Sequence, residues 1–357
     1  MRIHGEEHMG YGKVAFVCGT PLQIIGAMSI ATELEKDGAV CDAFLRHDFS
    51  GSSDAAIGLR DSGPFEKVFD VGYASNGLWS IRGESDAINL EPPYDAVASA
   101  SLLDQTGGQS DGKGYDAVFC SYPYDTGIYL MAANCGRAEL HRYDDGVGSY
   151  LGDAMSMRGF VDTWLFRPDI AEGQIGSDCP VRKIPFGRDS IEMAGKVFGT
   201  CDVSGYRGKR IVLLTQPIDS FPGRRAVDSE IFDALEPYAE SVIVRRHPRD
   251  DEPCDPRFEY DTVSSPWELL CALGAIPDDA ILVGGCSTAQ AMPHMIGSSH
   301  SLAVFTQAMY REAMESCGGG HEYGRGEEAV GVMERFLGEY AVRVDGTREL
   351  VEAIESK

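Results

Sequence analysis

Three short stretches place chemically capable residues at the ends of apolar runs. In HRYDDGVGSY, from His141 to Tyr150, the adjacent Asp144 and Asp145 follow a strand-like run and precede Gly146. A carboxylate at a strand end can take a proton from a bound hydroxyl. The same trio also closes a turn, because aspartate side chains bond the backbone ahead and glycine accepts positive φ. On these residues alone the turn is the favoured reading. Two adjacent acids also suit a cation, but no third carboxylate follows at a suitable spacing, so no metal is expected.

The second stretch, VIVRRHPRDD, delivers His247 at the end of a β-branched run, with Pro248 biasing it towards an extended backbone. Arg245, Arg246 and Arg249 make a basic island there, as an anionic ligand requires. A solvated strand end with a surface histidine is the alternative. The third stretch, AILVGGCSTAQAM, reads as strand, glycine turn and helix, with Gly285 in the turn and Ser287 as a natural N-cap. Such a junction aims backbone N–H groups and a positive dipole end at a ligand above the sheet. The hydroxyls of Ser287 and Thr288 add two donors for a phosphate; the bland reading leaves Ser287 as a cap and nothing more. No Gly-Lys-Ser/Thr follows, so this is not a P-loop. Two smaller strand ends, VCGTPLQ with Gly19, Thr20 and Gln23, and LLTQP with Thr215 and Gln216, suit hydroxyl-rich ligands.

The elements that must position these residues alternate between short apolar runs and helix-length amphipathic segments, which is the pattern of a parallel α/β protein. Strands are expected at Lys13–Cys18, at 39–45, at Lys67–Gly72, at Tyr115–Tyr122 and at 138–146. Pro21 suits the first turn of a helix and Gly38 its end. The Gly-rich 102–114 reads as a loop, Arg188–Val197 as a helix and 198–210 as a linker. A second series of strands begins at Arg210 and runs through 240–248, 280–283, 301–305 and 340–344 to a terminal helix. The expected architecture is two Rossmann-like domains facing a central cleft, with a disordered leader at 1–12, one domain at 13–205 and the other at 206–357.

Composition narrows the classes further. A net charge of −25 over 357 residues repels phosphate backbones, so no nucleic-acid partner is expected. Ten cysteines are scattered without a CxxC pair, several inside apolar runs such as VAFVCG, which suits reduced thiols. The polar start lacks the apolar core of a signal peptide, and no run approaches the ~20 apolar residues of a membrane span. A cytoplasmic protein follows, with peripheral attachment at the inner membrane and a homodimer left open.

Asp-Asp-Gly at 144–146, His-Pro at 247–248 and Ser-Thr at 287–288, in that order, resemble the signature of bacterial sialyltransferases. With Thr20–Gln23 and Leu214–Pro217, the set looks most like glycosyltransferase family 52, the lipooligosaccharide sialyltransferase group, related to the bacterial polysialyltransferases. The stretch Leu165–Pro180 carries nothing specific to that family. The resemblance implies a GT-B fold and an inverting, metal-independent transfer from CMP-sialic acid to a hydroxyl of a lipooligosaccharide or capsule precursor, with no cofactor. It implies that Asp144, or else Asp145, is the general base, with Asp144 preferred. His247 would assist departure of the phosphate, Ser287 and Thr288 would bind it, and Pro248, Gly285, Thr215, Gln216 and Arg246 would complete the donor side. Gly19, Thr20, Gln23 and Gly146 fall to the acceptor side, and the resemblance makes 13–205 the acceptor-side domain and 206–357 the nucleotide-sugar-binding domain. The alternatives are a related enzyme using a UDP-hexose and a catalytically silent sugar-nucleotide-binding protein. The joint presence of Asp144 and His247 favours an enzyme.

Overall fold

The computed structural model describes residues 10–46, 49–71, 115–121, 138–151, 160–171, 179–199, 201, 203–215, 224–248, 250, 253–297, 300–316 and 320–357. The expected loop at 102–114 and most of the expected leader lie outside them. By its contacts the chain divides into two units: Met1–Asp145 with Gly152–Gly199, and Gly146–Leu151 with Thr200–Lys357.

The first unit is a seven-stranded parallel sheet in the order β3-β2-β1-β4-β5-β6-β7. Its strands are β1 (Lys13–Cys18), β2 (Val40–Arg46), β3 (Lys67–Val71), β4 (Ala117–Cys120), β5 (Glu139–Tyr143), β6 (Asp162–Leu165) and β7 (Val181–Lys183). Strand β1 lies between β2 and β4, and Val14 to Cys18 are fully buried, which is why the strand reads as an unbroken apolar run. Each such valine or phenylalanine contributes roughly 1.5–3 kcal/mol through burial. Helix α1 (Pro21–Lys36) starts where Thr20 caps it, accepting the Gln23 N–H at 3.2 Å, with Pro21 in the first turn. It is covered along most of its length: an added Cβ at Gly26 would touch Tyr143, Ile184 and Phe166. Helices α2 (Ser52–Ser62) and α3 (Arg188–Phe198) pack together, and Gly58 permits the approach, since a Cβ there would run into the Val197 carbonyl.

The second unit is a six-stranded parallel sheet in the order β10-β9-β8-β11-β12-β13. It comprises β8 (Ile211–Leu214), β9 (Val242–Arg245), β10 (Glu259–Tyr260), β11 (Ile281–Gly284), β12 (Leu302–Phe305) and β13 (Ala341–Arg343). Counted within the unit, this is the doubly wound order 3-2-1-4-5-6, whose direction reverses between β8 and β11. Ile211, Leu213, Val242, Val244, Ile281, Val283 and Val304 form one core with Ile231 and Leu235 of α4 (Arg224–Leu235) and Leu350 and Ile354 of α9 (Thr347–Glu355). The remaining helices among the described residues are α5 (Trp267–Ala272), α6 (Thr288–Met295), α7 (Arg311–Ser316) and α8 (Gly320–Leu337).

The segment Gly146–Leu151 belongs to this second unit although its sequence neighbours belong to the first. Tyr150 meets Phe336 of α8 edge to face at 4.6 Å, and the Val147 N–H donates to Thr288 Oγ1 at 3.1 Å. Gly146 sits at φ 100°, and a Cβ there would lie 2.5 Å from the Thr288 side chain. Only glycine suits both the conformation and the space.

Candidate functional site

In the first unit the polar residues gather at the carboxyl ends of β1 and β5. Asp144 and Asp145 directly follow β5, and the alternation of an extended chain sends their side chains different ways. Asp144 has no exposed surface, and its Oδ2 accepts the Phe166 N–H at 3.1 Å. Asp145 is only partly buried. Its Oδ1 accepts Gln23 Nε2 at 2.7 Å and lies 3.5 Å from Thr20 Oγ1. Gln23 in turn accepts the Gly19 N–H on Oε1 at 2.5 Å. The acceptor-side expectations Gly19, Thr20 and Gln23 thus come together around Asp145, while Gly146 packs on Thr288 in the second unit. A partly exposed carboxylate held by neutral donors is equipped to accept a proton.

In the second unit the reversal point between β8 and β11 opens a cavity of ≈ 70 Å³. Its lining includes Thr215, Arg246, Gly284 and Gly285 from strand ends and Arg224 and Asp228 from α4, with Asp250, Thr306 and Tyr310 beside them. Tyr310 donates to Asp228 Oδ1 at 2.6 Å, and Arg224 pairs with Asp228 Oδ2 at 3.1 Å. Burial pushes the Asp228 carboxyl up, against the pull of Tyr310 and Arg224, and burial beside that carboxylate holds the Tyr310 hydroxyl well above its ordinary range. Arg246 donates to the Asp250 carbonyl and faces its carboxylate at 3.9 Å. Charged groups of both signs around apolar walls of Leu213, Ile231 and Phe232 make a pocket for a polar ligand with an apolar body.

The other expected donor residues are distributed differently. The His247 N–H donates to Thr215 Oγ1 at 3.0 Å, which ties the end of β9 to that of β8. Ser287 caps α6, accepting the Ala289 N–H at 3.2 Å, and Gln290 Oε1 accepts the Ser287 N–H at 3.3 Å. The Thr288 hydroxyl serves the Val147 backbone, a structural duty that its place in the motif did not suggest. Arg245 leaves the basic island altogether: it bonds Asp261 and the carbonyls of Val263 and Ser265, fixing the chain beyond β10. Gln216 and Arg249 lie outside the described residues. Arg224, Asp228, Asp250, Thr306 and Tyr310 escaped the motif reading; the local signals were the i,i+4 spacings of Arg224 with Asp228 and of Arg246 with Asp250.

Among the described residues no group of three or more His, Cys, Asp or Glu side chains is arranged to hold a metal ion, and no helix is long and apolar enough to cross a membrane. No family model matches the chain, and no curated protein does. Solved structures do. UGT89C1 of Arabidopsis thaliana complexed with UDP-L-rhamnose aligns over 96% of this chain and 89% of that one at 11% identity, with a TM-score of 0.55. The same protein in a second structure gives 0.50 at 12% identity, over 97% and 91%. CalG4, the calicheamicin glycosyltransferase, gives 0.43 at 13% identity over 98% of each chain. The fold is GT-B, built from two Rossmann-like α/β units.

Proposed function

We propose that this chain is an inverting glycosyltransferase that moves a sugar from a UDP-sugar to an acceptor hydroxyl. The observation that carries the reading is the Asp145 carboxylate at the carboxyl end of β5, partly exposed and held by Gln23. In this reading Asp145 takes the proton of the acceptor hydroxyl as its oxygen bonds the anomeric carbon, and the bond from that carbon to the donor phosphate breaks on the opposite side. Asp144 is fully buried and accepts the Phe166 N–H, so the base role goes to Asp145. The second unit holds the nucleotide at the β8–β11 reversal, where Arg224 and Arg246 line the cavity. His247 and the N-terminus of α6 stabilise the charge that collects on the departing phosphate. The likeness of fold to a structure complexed with UDP-L-rhamnose supports the uridine donor.

A second reading, CMP-sialic acid as donor, is favoured by one observation: Asp-Asp-Gly, His-Pro and Ser-Thr occur in the order of the bacterial sialyltransferases. CMP leaves as a monophosphate, which a histidine, a helix N-terminus and hydroxyls can stabilise without a cation. The acceptor in that case is a lipooligosaccharide or capsule precursor. The test is nucleotide release from a panel of UDP-sugars and from CMP-sialic acid, with and without glycan acceptors, in EDTA and in magnesium. Acceptor-dependent UDP release supports the first reading. CMP release alone replaces it with the second, and donor binding without turnover removes the transferase.

A further inference from the structure

Gln23 stands in the first turn of α1 between Leu22 and Ile24, and it is 4% exposed. An amide buried among aliphatic neighbours is costly unless both its ends are bonded. Here both are. The Gly19 N–H donates to Oε1 at 2.5 Å, and Nε2 donates to Asp145 Oδ1 at 2.7 Å. The two contacts also fix which way round the amide lies. A flipped side chain would set its NH2 against the Gly19 N–H and its oxygen against a carboxylate, two repulsions in place of two bonds.

The backbone holds this amide in place independently of any ligand. Gly19 follows the last residue of β1, a strand buried on both faces, and Thr20 caps the helix by accepting the N–H of Gln23 itself. Strand end, cap and amide therefore form one rigid support, 122 residues away in sequence from the carboxylate it meets. A neutral filler at this position would need no donor pointed outwards. Gln23 spends its outward donor on Asp145, a carboxylate that is only partly buried.

We propose that Gln23 is a positioning residue for Asp145: it fixes the carboxylate through Oδ1 and favours its ionised, proton-accepting form. The inference rests on the transferase reading, in which Asp145 is the base. Donation to the charged form of an acid favours that form, so loss of the donor moves its titration upward.

Two variants separate positioning from packing. Gln23→Glu keeps the length and the acceptor for the Gly19 N–H but replaces the donor to Asp145 by an oxygen. Gln23→Met keeps length and apolar bulk and removes both polar ends. The carboxyl titration of Asp145 is followed by its 13Cγ shift in the full chain, assigned with Asp145→Asn, and kcat and KM are measured against pH. In Gln23→Glu the Asp145 midpoint is expected to rise by about one unit or more. The acidic limb of kcat should move with it, and kcat below neutral pH should fall about tenfold with donor KM changed less than about twofold. Gln23→Met should move the midpoint the same way by less, and it decides the matter if Gln23→Glu does not fold. An Asp145 midpoint that stays in place in a folded variant overturns the inference, as does a Gln23→Glu enzyme with a wild-type acidic limb. If the titration moves while the wild-type chain transfers sugar from no donor, the contact stands and the transferase reading falls. If the wild type transfers sugar and the titration does not move, the reverse holds.

Discussion

The two units share a strand order yet use their carboxyl edges differently. In the first, an amide and a hydroxyl converge on the Asp145 carboxylate, and a backbone N–H holds the amide in turn. In the second, two arginines, two aspartates and a tyrosine interlock around a cavity. Neutral donors orient a charge without cancelling it, whereas paired charges define the walls of a pocket. In the transferase reading the same topology supports a proton acceptor in one unit and a binding surface in the other, because the residues at strand ends are independent of the strands themselves.

The largest expected effect breaks the comparison on the first side. Asp145→Asn should lower transfer by about 10²–10⁴-fold, the usual worth of a general base, while donor affinity measured by calorimetry stays near wild type. A variant with normal turnover would move the base to another residue, with Asp144 the first to test. Next, Gly146→Ala should destabilise the fold by about 1–3 kcal/mol in urea unfolding, because it sets a side chain at positive φ against Thr288. A wild-type midpoint would mean that the segment relaxes without cost. Thr288→Val, which removes the acceptor for the Val147 N–H, should cost about 1–2 kcal/mol, with Thr288→Ser restoring most of it. If both variants are equally stable but bind nucleotide differently, the hydroxyl belongs to the ligand.

The smallest effect concerns the charged pocket. Burial raises the Asp228 carboxyl in the folded chain, so folded protein holds its proton to higher pH than unfolded protein does. Stability from that group is fully present below the unfolded value and declines as pH rises through the folded one. Asp228→Asn lacks this dependence, so its urea midpoint should improve relative to wild type between about pH 3.8 and neutrality. A constant difference across that range would show that Arg224 and Tyr310 fully offset the burial.

Much of this was legible from apolar pattern. Strands β1, β4, β8, β11 and β12 are interior and read as unbroken runs, and the cap at Thr20 with Pro21 behind it announces α1. Strands β7 and β10 were missed because they are short edge strands of Val-Arg-Lys and Glu-Tyr. Strand β6 was missed for another reason. It opens on Asp162, which binds His141, Trp164 and Arg182, so a buried polar network interrupts its apolar signal. The Asp-Asp-Gly stretch was visible, but the division of labour between its acids depends on Phe166 and Gln23, 22 and 122 residues away. The Asp228–Tyr310 pair spans 82 residues and left no local trace.

The excursion of Gly146–Leu151 into the second unit has a practical side. The chain changes units at 145/146, at 151/152 and at 199/200, so no single cut separates the two bodies. A polypeptide that starts at residue 200 lacks the ring that meets Phe336 and the amide that occupies Thr288. It should recover both from a short synthetic peptide covering residues 146–151. Asp145 and Gly146 are joined by one peptide bond, so the residue proposed as base is the last before the chain crosses into the second unit.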